Sequence, residues 1–508
     1  MTVALVRDPQ GAAAGSHDLI VIGGGFQGVM LTLEAARRGL KTLLVERDDF
    51  GGATSWNSLR IVHGGLRYLQ SFDLRRYHES VAERSWFLRT FPDLVDPLPC
   101  LMPLWSPPRG GALRRRSALG AALAADRLLA RERNAGLRAD RQLPAGRLLD
   151  AKETAELFPD IDRGGLRGGA LWYDAVISDT PRLLVEALRW ACRCGAGVLN
   201  YAEVTGLSTD DSSAKSGRVS GVEAVDRETG RRLRLRATAV VNCAGPWSRR
   251  LAETWDRDLP ELFRPVLAFN LLLDCAPPSR AALAVAAPGR GAQTWFLLPW
   301  KGRLLAGTAY VPAGPQADFS TGPDEERIEA FLAALNAAVP SLGGVRRDRI
   351  QRVFWGWLPA AGSSPRSYPV IHDHGAAGGP RGLISVSGVK LTTSRAVAEE
   401  VLERLFAQRG EALPAPGWIE RPAPEPPLPL GEFIRLAGRD RAAAAAHLRG
   451  IVERESVVRL DDLLLRRTDW GLSSEASEAS EASSAAQLCE ALGWAAGERA
   501  PRHAGGGL

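Results

Sequence analysis

The chain has 508 residues, 45% of them apolar and 24% charged, with a formal net charge of +6. That composition excludes a disordered or fibrous chain and fits a soluble globular protein of roughly two to four domains. The positive charge is almost all arginine, scattered without any nucleic-acid-binding module, so no nucleic-acid partner is expected.

Six cysteines are thinly spread, with no CxxC pair and no metal-ligand spacing, so neither structural zinc nor a disulfide framework is expected. No window approaches the ~20 apolar residues of a membrane span, and the first residues lack the apolar run of a signal peptide. A cytoplasmic, reduced protein is expected, with any membrane contact peripheral.

Residues 17–50, HDLIVIGGGFQGVMLTLEAARRGLKTLLVERDDF, read as a buried parallel strand, a glycine turn, an amphipathic helix and a second buried strand. In this βαβ unit Gly23 makes the tight turn, Gly25 lets backbone approach a pyrophosphate, and Gly28 lets the helix pack on the strand. Phe26 and Gln27 sit at the helix N-terminus, whose free N–H groups suit phosphate. Glu46 falls where a carboxylate can accept hydrogen bonds from a ribose. These features specify a dinucleotide but leave NAD and FAD open.

The next stretch, RIVHGGLRYL (60–69), sets one histidine, two glycines, two arginines and a tyrosine among apolar residues. Bare backbone beside an imidazole and two guanidiniums suits a flat or anionic ligand. Further on, RGGALRRRSALGAALAADRLLARERNAGLRADR (109–141) reads as a basic amphipathic helix beginning near Leu113. Leu119, Leu123, Leu128 and Leu129 lie toward one side, and Arg114, Arg115, Arg116, Arg127 and Arg131 surround them. Such a helix either lies on an anionic membrane or packs on the protein with its arginines in water.

LLVEALRWACRCGAGVL (183–199) reads as a helix running into a strand, and ETGRRLRLRATAVV (228–241) as a hairpin feeding the sheet. RLRATAVVNCAGPW (234–247) ends a strand in Ala244-Gly245-Pro246-Trp247. FRPVLAFNLLLDC, QTWFLLPWKGRLLAGTAY and QRVFWGWLPAAG read as strands of a second, mixed sheet capping the nucleotide domain. RGLISVSGVKLTTSRAVAEEVLERLF (381–406) is a strand, a turn at Gly388 and a helix opened by Thr392 and Thr393. An NAD domain is ordinarily complete in one contiguous block, whereas this chain returns to its nucleotide site about 350 residues later, which favours FAD. APGWIERPAPEPPLPL (415–430) is a proline-rich linker, and residues 434–468 are helical by pattern. SSEASEASEASSAA reads as a tether and PRHAGGGL as a disordered tail.

These segments carry a resemblance. DLIVIGGGFQG, GATSWNSLRIVHGGLRYL, ALWYDAVISDTPRLLVEA, VVNCAGPW, LLAGTAY, SVSGVKLTT and VERESVVRLDDLLLRRT resemble the FAD-dependent glycerol-3-phosphate dehydrogenases, within the wider D-amino-acid-oxidase-like flavoprotein group. The resemblance implies an α/β (α+β) protein with a discontinuous Rossmann-like FAD-binding domain of the glutathione-reductase/D-amino-acid-oxidase type. That domain is expected over 17–70, 172–262 and 376–409, with a mixed-sheet substrate cap over 71–171 and 263–375. A linker over 410–430 and a small helical C-terminal domain over 431–508 complete the expected chain.

It further implies that His63, Gly64, Gly65 and Leu66 lie along the flavin ring, where side chains at the glycines would collide with the isoalloxazine. Arg67 and Tyr68 face the substrate, and His63 takes the hydroxyl proton. Lys390 stabilises negative charge on reduced flavin. Thr54 and Ser55 wrap the FAD, with Arg60 where many members carry lysine. Val204, Ala244, Gly245, Trp247, Gly388, Val389, Leu391 and Thr392 complete the implied cofactor contacts, and Thr308 lies on the substrate side.

The departures fall at the substrate phosphate. A family strand reading roughly Tyr-Ser-Gly-Val-Arg-Pro supplies a phosphate-binding arginine, and here it reads Phe354-Trp355-Gly356-Trp357-Leu358-Pro359. A second family arginine aligns with His372, and a family histidine aligns with Asn270. The implied activity is oxidation of a secondary alcohol to a ketone, with glycerol 3-phosphate or a larger, less charged hydroxy compound as the small-molecule substrate and quinone as the electron acceptor. Two other readings stay open: an amine or amino-acid oxidoreductase, with Arg67 holding a carboxylate, and a flavin-binding protein without catalysis.

Overall fold

The computed structural model describes residues 3–109, 115–210, 217–255, 258–287, 293–314 and 316–472. Leu113, Arg114, the SSEASEASEASSAA tether and the PRHAGGGL tail lie outside the described residues.

Every residue of the strand Leu19–Ile22 is buried, as a parallel strand covered on both faces requires. It sits inside a six-stranded sheet ordered 370–373, 383–387, 240–242, 19–22, 42–45, 197–199. All pairs are parallel except the edge strand Val370–Asp373, which runs antiparallel to Leu383–Ser387. The helices Phe26–Arg37, Thr180–Arg193 and Ser394–Ala407 pack together on one side. A four-stranded sheet containing 202–209, 219–226 and 232–237 covers the other, with Val219, Val222 and Leu235 packed against Ile20, Ile22 and Leu43.

Two glycines make the first turn possible. Gly23 has φ +104°, and a Cβ there would lie 2.5 Å from the Cys243 carbonyl oxygen; at Gly28 it would lie 1.9 Å from the Gly23 carbonyl oxygen. The helix can therefore sit on the turn only without a side chain at either position.

The cap is a ten-stranded sheet whose long members are 95–105, 166–177, 265–273, 303–312 and 350–361. It is mixed, because Ala282–Ala286 runs parallel to Val95–Trp105 while the other pairs are antiparallel. The helix Glu325–Ala338 covers one face through Ile328, Phe331, Leu332 and Leu335. The helix Arg116–Leu129 covers the other through Leu119 and Leu123, which pack with Cys100 and Trp172.

Strand pairing moves three of the expected domain boundaries. Ile61–Val62 and all of Leu166–Ile177 pair within the cap sheet, so the first nucleotide segment ends near 60 and the second begins at the 180–193 helix. Val370–Asp373 pairs within the nucleotide sheet, so the third segment begins near 370. Buried apolar strands of the two sheets have the same pattern, and only their partners distinguish them.

The linker is laid along the nucleotide domain: the Trp190 indole donates to the Ile419 carbonyl at 2.8 Å and Gly417 N–H to the Arg37 carbonyl at 2.7 Å. Beyond it the helices Leu430–Arg439 and Arg441–Arg454 and the helical turn Asp462–Arg467 share one small core with Trp470.

Candidate active site

The first strand, its glycine turn and the following helix present a backbone cradle. The first intrahelical bond is Val29 N–H to the Gly25 carbonyl, which leaves the Gln27 and Gly28 N–H groups without an acceptor in the helix. Phe26 N–H is taken by Ser55 Oγ at 3.0 Å, and that Oγ is the nearest atom, 2.9 Å away, to where a Gly25 Cβ would stand. Ser55 therefore closes the cradle from the side. Glu46, just past the second strand, accepts N–H from Gly24 at 2.6 Å and from Asp48 at 2.8 Å. Burial, with the Asp48 carboxylate beside it, pushes its carboxyl up to about 7.

Opposite lies the loop 388–392, whose position depends on Gln27. The Gln27 amide donates to the Lys390 carbonyl at 3.2 Å, and a Cβ on Gly388 would lie 2.2 Å from Gln27 Cδ. Gln27 Oε1 and Ser387 Oγ are buried without a hydrogen-bond partner among the described residues. Thr392 is buried, Leu391 packs on the main core, and the helix that follows starts after Thr393, whose side chain makes no capping bond. Across the cradle, Ala244 N–H donates to Asn242 Oδ1 at 3.2 Å, and open space surrounds a would-be Cβ at Gly245. The Arg47 guanidinium lies 4.4 Å from the Trp247 ring, and Val204 lies opposite Ala224 in the covering sheet. The free N–H groups, the buried unpaired acceptor of Gln27, the bare backbone at Gly25 and the Glu46 carboxylate fit an FAD.

The HGGL stretch is shaped by the helix Leu74–Thr90 and by Asp174. A Cβ on Gly64 would stand 1.8 Å from the Arg84 guanidinium; on Gly65, whose φ is +84°, it would stand 3.2 Å from Tyr77 Cα. The protein's own packing therefore constrains both glycines, beside whatever a flavin ring would require of them. Leu66 opens the short helix that carries Arg67 and Tyr68. Gly64 N–H donates to Asp174 Oδ1 at 2.6 Å, and His63 Nδ1 lies 3.6 Å from Asp174 Oδ2. Asp174 also accepts from the Trp172 indole at 3.1 Å and faces Arg84 Nη1 at 3.6 Å. Burial lowers the His63 pKa more than Asp174 raises it, so the imidazole is neutral near pH 7. Although burial would raise the Asp174 pKa, His63 and Arg84 outweigh it and the carboxyl stays below its ordinary value.

Arg67, Tyr68 and Lys390 come together. The Arg67 guanidinium donates to the Tyr68 hydroxyl at 2.9 Å, and the Lys390 ammonium donates to the same oxygen. Arg67, Arg76 and Lys390 stand 5.0, 4.5 and 4.8 Å from the centroid of the Tyr68 ring. Burial, then Arg67, lowers the Lys390 pKa. Burial would raise the Tyr68 pKa, but Arg67 and Lys390 outweigh it and lower it. Among the described residues no carboxylate lies within ion-pair distance of Arg67 or Lys390. This is a patch of excess positive charge beside a neutral histidine.

Other residues of the sequence reading are engaged with protein partners. Asn270 is buried, its amide donating to the Asn57 carbonyl at 2.9 Å and accepting from Thr308 at 2.8 Å, so each side chain has a protein partner. His372 stacks edgewise on His374, centroids 4.7 Å apart, within the nucleotide sheet. Leu358 is half-buried on the cap strand, next to Trp357, whose backbone exchanges two hydrogen bonds with Thr54 Oγ1. Arg60 is buried between the Trp300 and Phe354 rings, and burial lowers its pKa to about 10. Sequence reasoning missed Asp174, Arg84 and Arg76. Asp174 stands inside the quoted ALWYDAVISDT, where an acid in a buried strand was a usable signal.

Comparison with known proteins agrees with this geometry. The family model described as FAD dependent oxidoreductase matches residues 18–404. Glycerol-3-phosphate dehydrogenase 1 of Mycobacterium tuberculosis is 34% identical, over 91% of this chain and 92% of that protein. Glycerol-3-phosphate dehydrogenase of Synechocystis is 30% identical over 80% and 73%. Among solved structures, the glycerol-3-phosphate dehydrogenase from Bacillus halodurans complexed with FAD superposes with a TM-score of 0.71 at 23% identity, covering 97% of this chain and 94% of that one. Glycine oxidase from Geobacillus kaustophilus shares the fold with a TM-score of 0.54 at 17% identity, covering 77% and 94%.

Proposed function

The chain belongs to the FAD-dependent glycerol-3-phosphate dehydrogenase family, and from that premise we propose that it oxidises the secondary alcohol of glycerol 3-phosphate to the ketone. The observation that carries this reading is the convergence of Arg67, Arg76 and Lys390 on the Tyr68 ring, close enough to His63 for Arg67 and Lys390 to lower its pKa. A cationic patch without carboxylate partners on Arg67 and Lys390 suits an anionic substrate better than the less charged compound that Leu358 alone suggests. Bound FAD supplies the acceptor for the hydrogen and two electrons of the carbinol carbon.

The chain's own residues do the rest. Gly23 to Gly28, Glu46, Ser55 and the 388–392 loop hold the cofactor. Arg67 and Lys390 hold the substrate's negative charge and fix its orientation. His63, with Nδ1 turned to Asp174, takes the hydroxyl proton at Nε2, and the buried Asp174 carboxylate stabilises the imidazolium that forms. The electrons pass on to a quinone, a step supported by an exposed apolar and basic patch near the helix Arg116–Leu129.

Anaerobic mixing of the yellow protein with glycerol 3-phosphate should bleach the flavin. Bleaching by glycine or other amino acids with none by glycerol 3-phosphate would overturn the reading in favour of amine oxidation, and a flavin that neither class reduces would show a protein without catalysis.

A further inference from the structure

The cap strand that carries Leu358 offers no cation for a phosphate, yet the helix Leu74–Thr90 supplies one that the motif did not predict. Arg76 is the third residue of that helix, and its guanidinium lies 4.5 Å from the Tyr68 centroid and 5.0 Å from the Tyr368 centroid. Resting on the reading of a phosphorylated substrate, we infer that Arg76, held between Tyr68 and Tyr368, is the specificity-determining contact for the substrate phosphate.

Asp73 organises the arrangement. As the helix N-cap it accepts the Arg76 backbone N–H at 3.0 Å; its other oxygen accepts Arg76 Nε at 2.6 Å and the Tyr368 hydroxyl at 2.9 Å. A guanidinium fixed at Nε and stacked on aromatic rings has little rotamer freedom left to lose. Its two terminal nitrogens have no protein acceptor among the described residues, so the donor fork is available to a ligand. The cavity beside it is lined by Tyr68, Arg76, Ser80, Tyr368, Lys390 and Thr393. A tetrahedral anion there meets a guanidinium and an ammonium, with two hydroxyls to take its remaining oxygens.

One acid faces the same cavity. Glu79 lines it, and burial raises its carboxyl while Arg75 and Lys390 pull it down. Arg76 and Lys390 line the cavity too, and Arg67 stands behind them on the Tyr68 hydroxyl; with Asp73 on Arg76, three cations meet two acids. The positive excess remains. Leu358 is apolar, and neither it nor His372 lines this cavity. The anion contact has moved from the cap strand to the first turn of a helix.

The test is steady-state kinetics with glycerol 3-phosphate and competitive inhibition by inorganic phosphate, on the flavin-loaded full chain. Arg76→Met should raise both the KM and the phosphate inhibition constant about ten- to a hundredfold, more than it lowers kcat, and Arg76→Lys should recover part of the loss. A purely structural stack would not move phosphate inhibition. If Arg76→Met loses its flavin, Tyr368→Leu removes one face of the stack from another segment and should shift both constants in the same direction. Wild-type turnover of glycerol 3-phosphate with unchanged constants in these variants would overturn this inference and leave the function standing. A wild-type protein that does not oxidise glycerol 3-phosphate would overturn both.

Discussion

The chemistry of His63 depends on two opposing effects of its surroundings. Burial favours the neutral ring and Asp174 favours the charged one; burial wins, so the ring loses its proton below the ordinary histidine value of 6.5, as the proposed base must. Only the neutral ring accepts a proton, so flavin reduction should rise with pH through a midpoint below 6.5 and then level off. Asp174→Asn removes the group that raises the His63 pKa, so the midpoint should fall further while the plateau drops with the lost orientation. Stopped-flow reduction across pH, on variants whose flavin content matches wild type, checks both; a midpoint that rises in Asp174→Asn would refute the pairing. His63→Ala should slow reduction by ~10²-fold or more with FAD retained. That His63, Arg67, Tyr68 and Lys390 lie together was legible because motif and chemistry coincide in them. Asp174 could be singled out as an acid in a buried strand, but its pairing with His63 could not, since the two lie 111 positions apart and leave no local pattern of contact.

Among the elements, the C-terminal turn 462–467 docks beside the loop that follows the Glu46 strand, although the two lie far apart in sequence. Asp49 follows the Glu46 strand end by three residues and accepts Arg466 Nε at 2.7 Å, Arg467 Nη1 at 2.8 Å, Arg467 Nη2 at 2.7 Å and Asn200 Nδ2 at 3.1 Å. Burial alone would raise the Asp49 carboxyl, but the two arginines outweigh it. Breaking such a buried pair costs about 3–5 kcal/mol, because a charge is left without its partner. Arg467→Met should therefore lower the melting temperature and loosen the 46–51 loop, so that FAD leaves on dilution; unchanged melting and flavin retention would show that the C-terminal segment is a passenger. Gly25→Val tests the cradle itself and should abolish flavin retention, since a branched side chain meets Ser55 and fills the space for the phosphates. The glycine turn, its helix and the 388–392 return were readable from pattern. The helical character of residues 462–467 was readable too, but their docking on Asp49 was not, because it joins residues 418 positions apart. For the same reason the expected boundaries place 61–62, the 172–177 end of the strand 166–177, and 370–373 in the domain whose sheet they do not join.

At the scale of the whole molecule, the remaining question is how reduced flavin meets its acceptor. Among the described residues no helix is long and apolar enough to cross a membrane. The basic helix Arg116–Leu129 divides along its length. Leu119 and Leu123 are spent on the cap core, whereas Leu128 is 70% and Leu129 41% exposed beside the exposed Arg127 and Arg131. The element against which it packs, the short helix Leu66–Gln70, leads directly to Phe72, 89% exposed, and Leu74, 51% exposed, with Arg75 following. Four exposed apolar side chains with three arginines are the makings of an interfacial dock. Each arginine near an anionic surface contributes on the order of 1 kcal/mol, so on the proposed quinone reading charge would bring the protein to a membrane and the apolar side chains would hold it there. Co-sedimentation should therefore show binding to vesicles containing anionic phosphatidylglycerol that weakens as salt rises. Phe72→Ser with Leu128→Ser should weaken that binding further, while reduction of a water-soluble dye by glycerol 3-phosphate continues. Equal binding to neutral vesicles would refute the electrostatic part, and no binding at all would assign the electrons to a soluble acceptor.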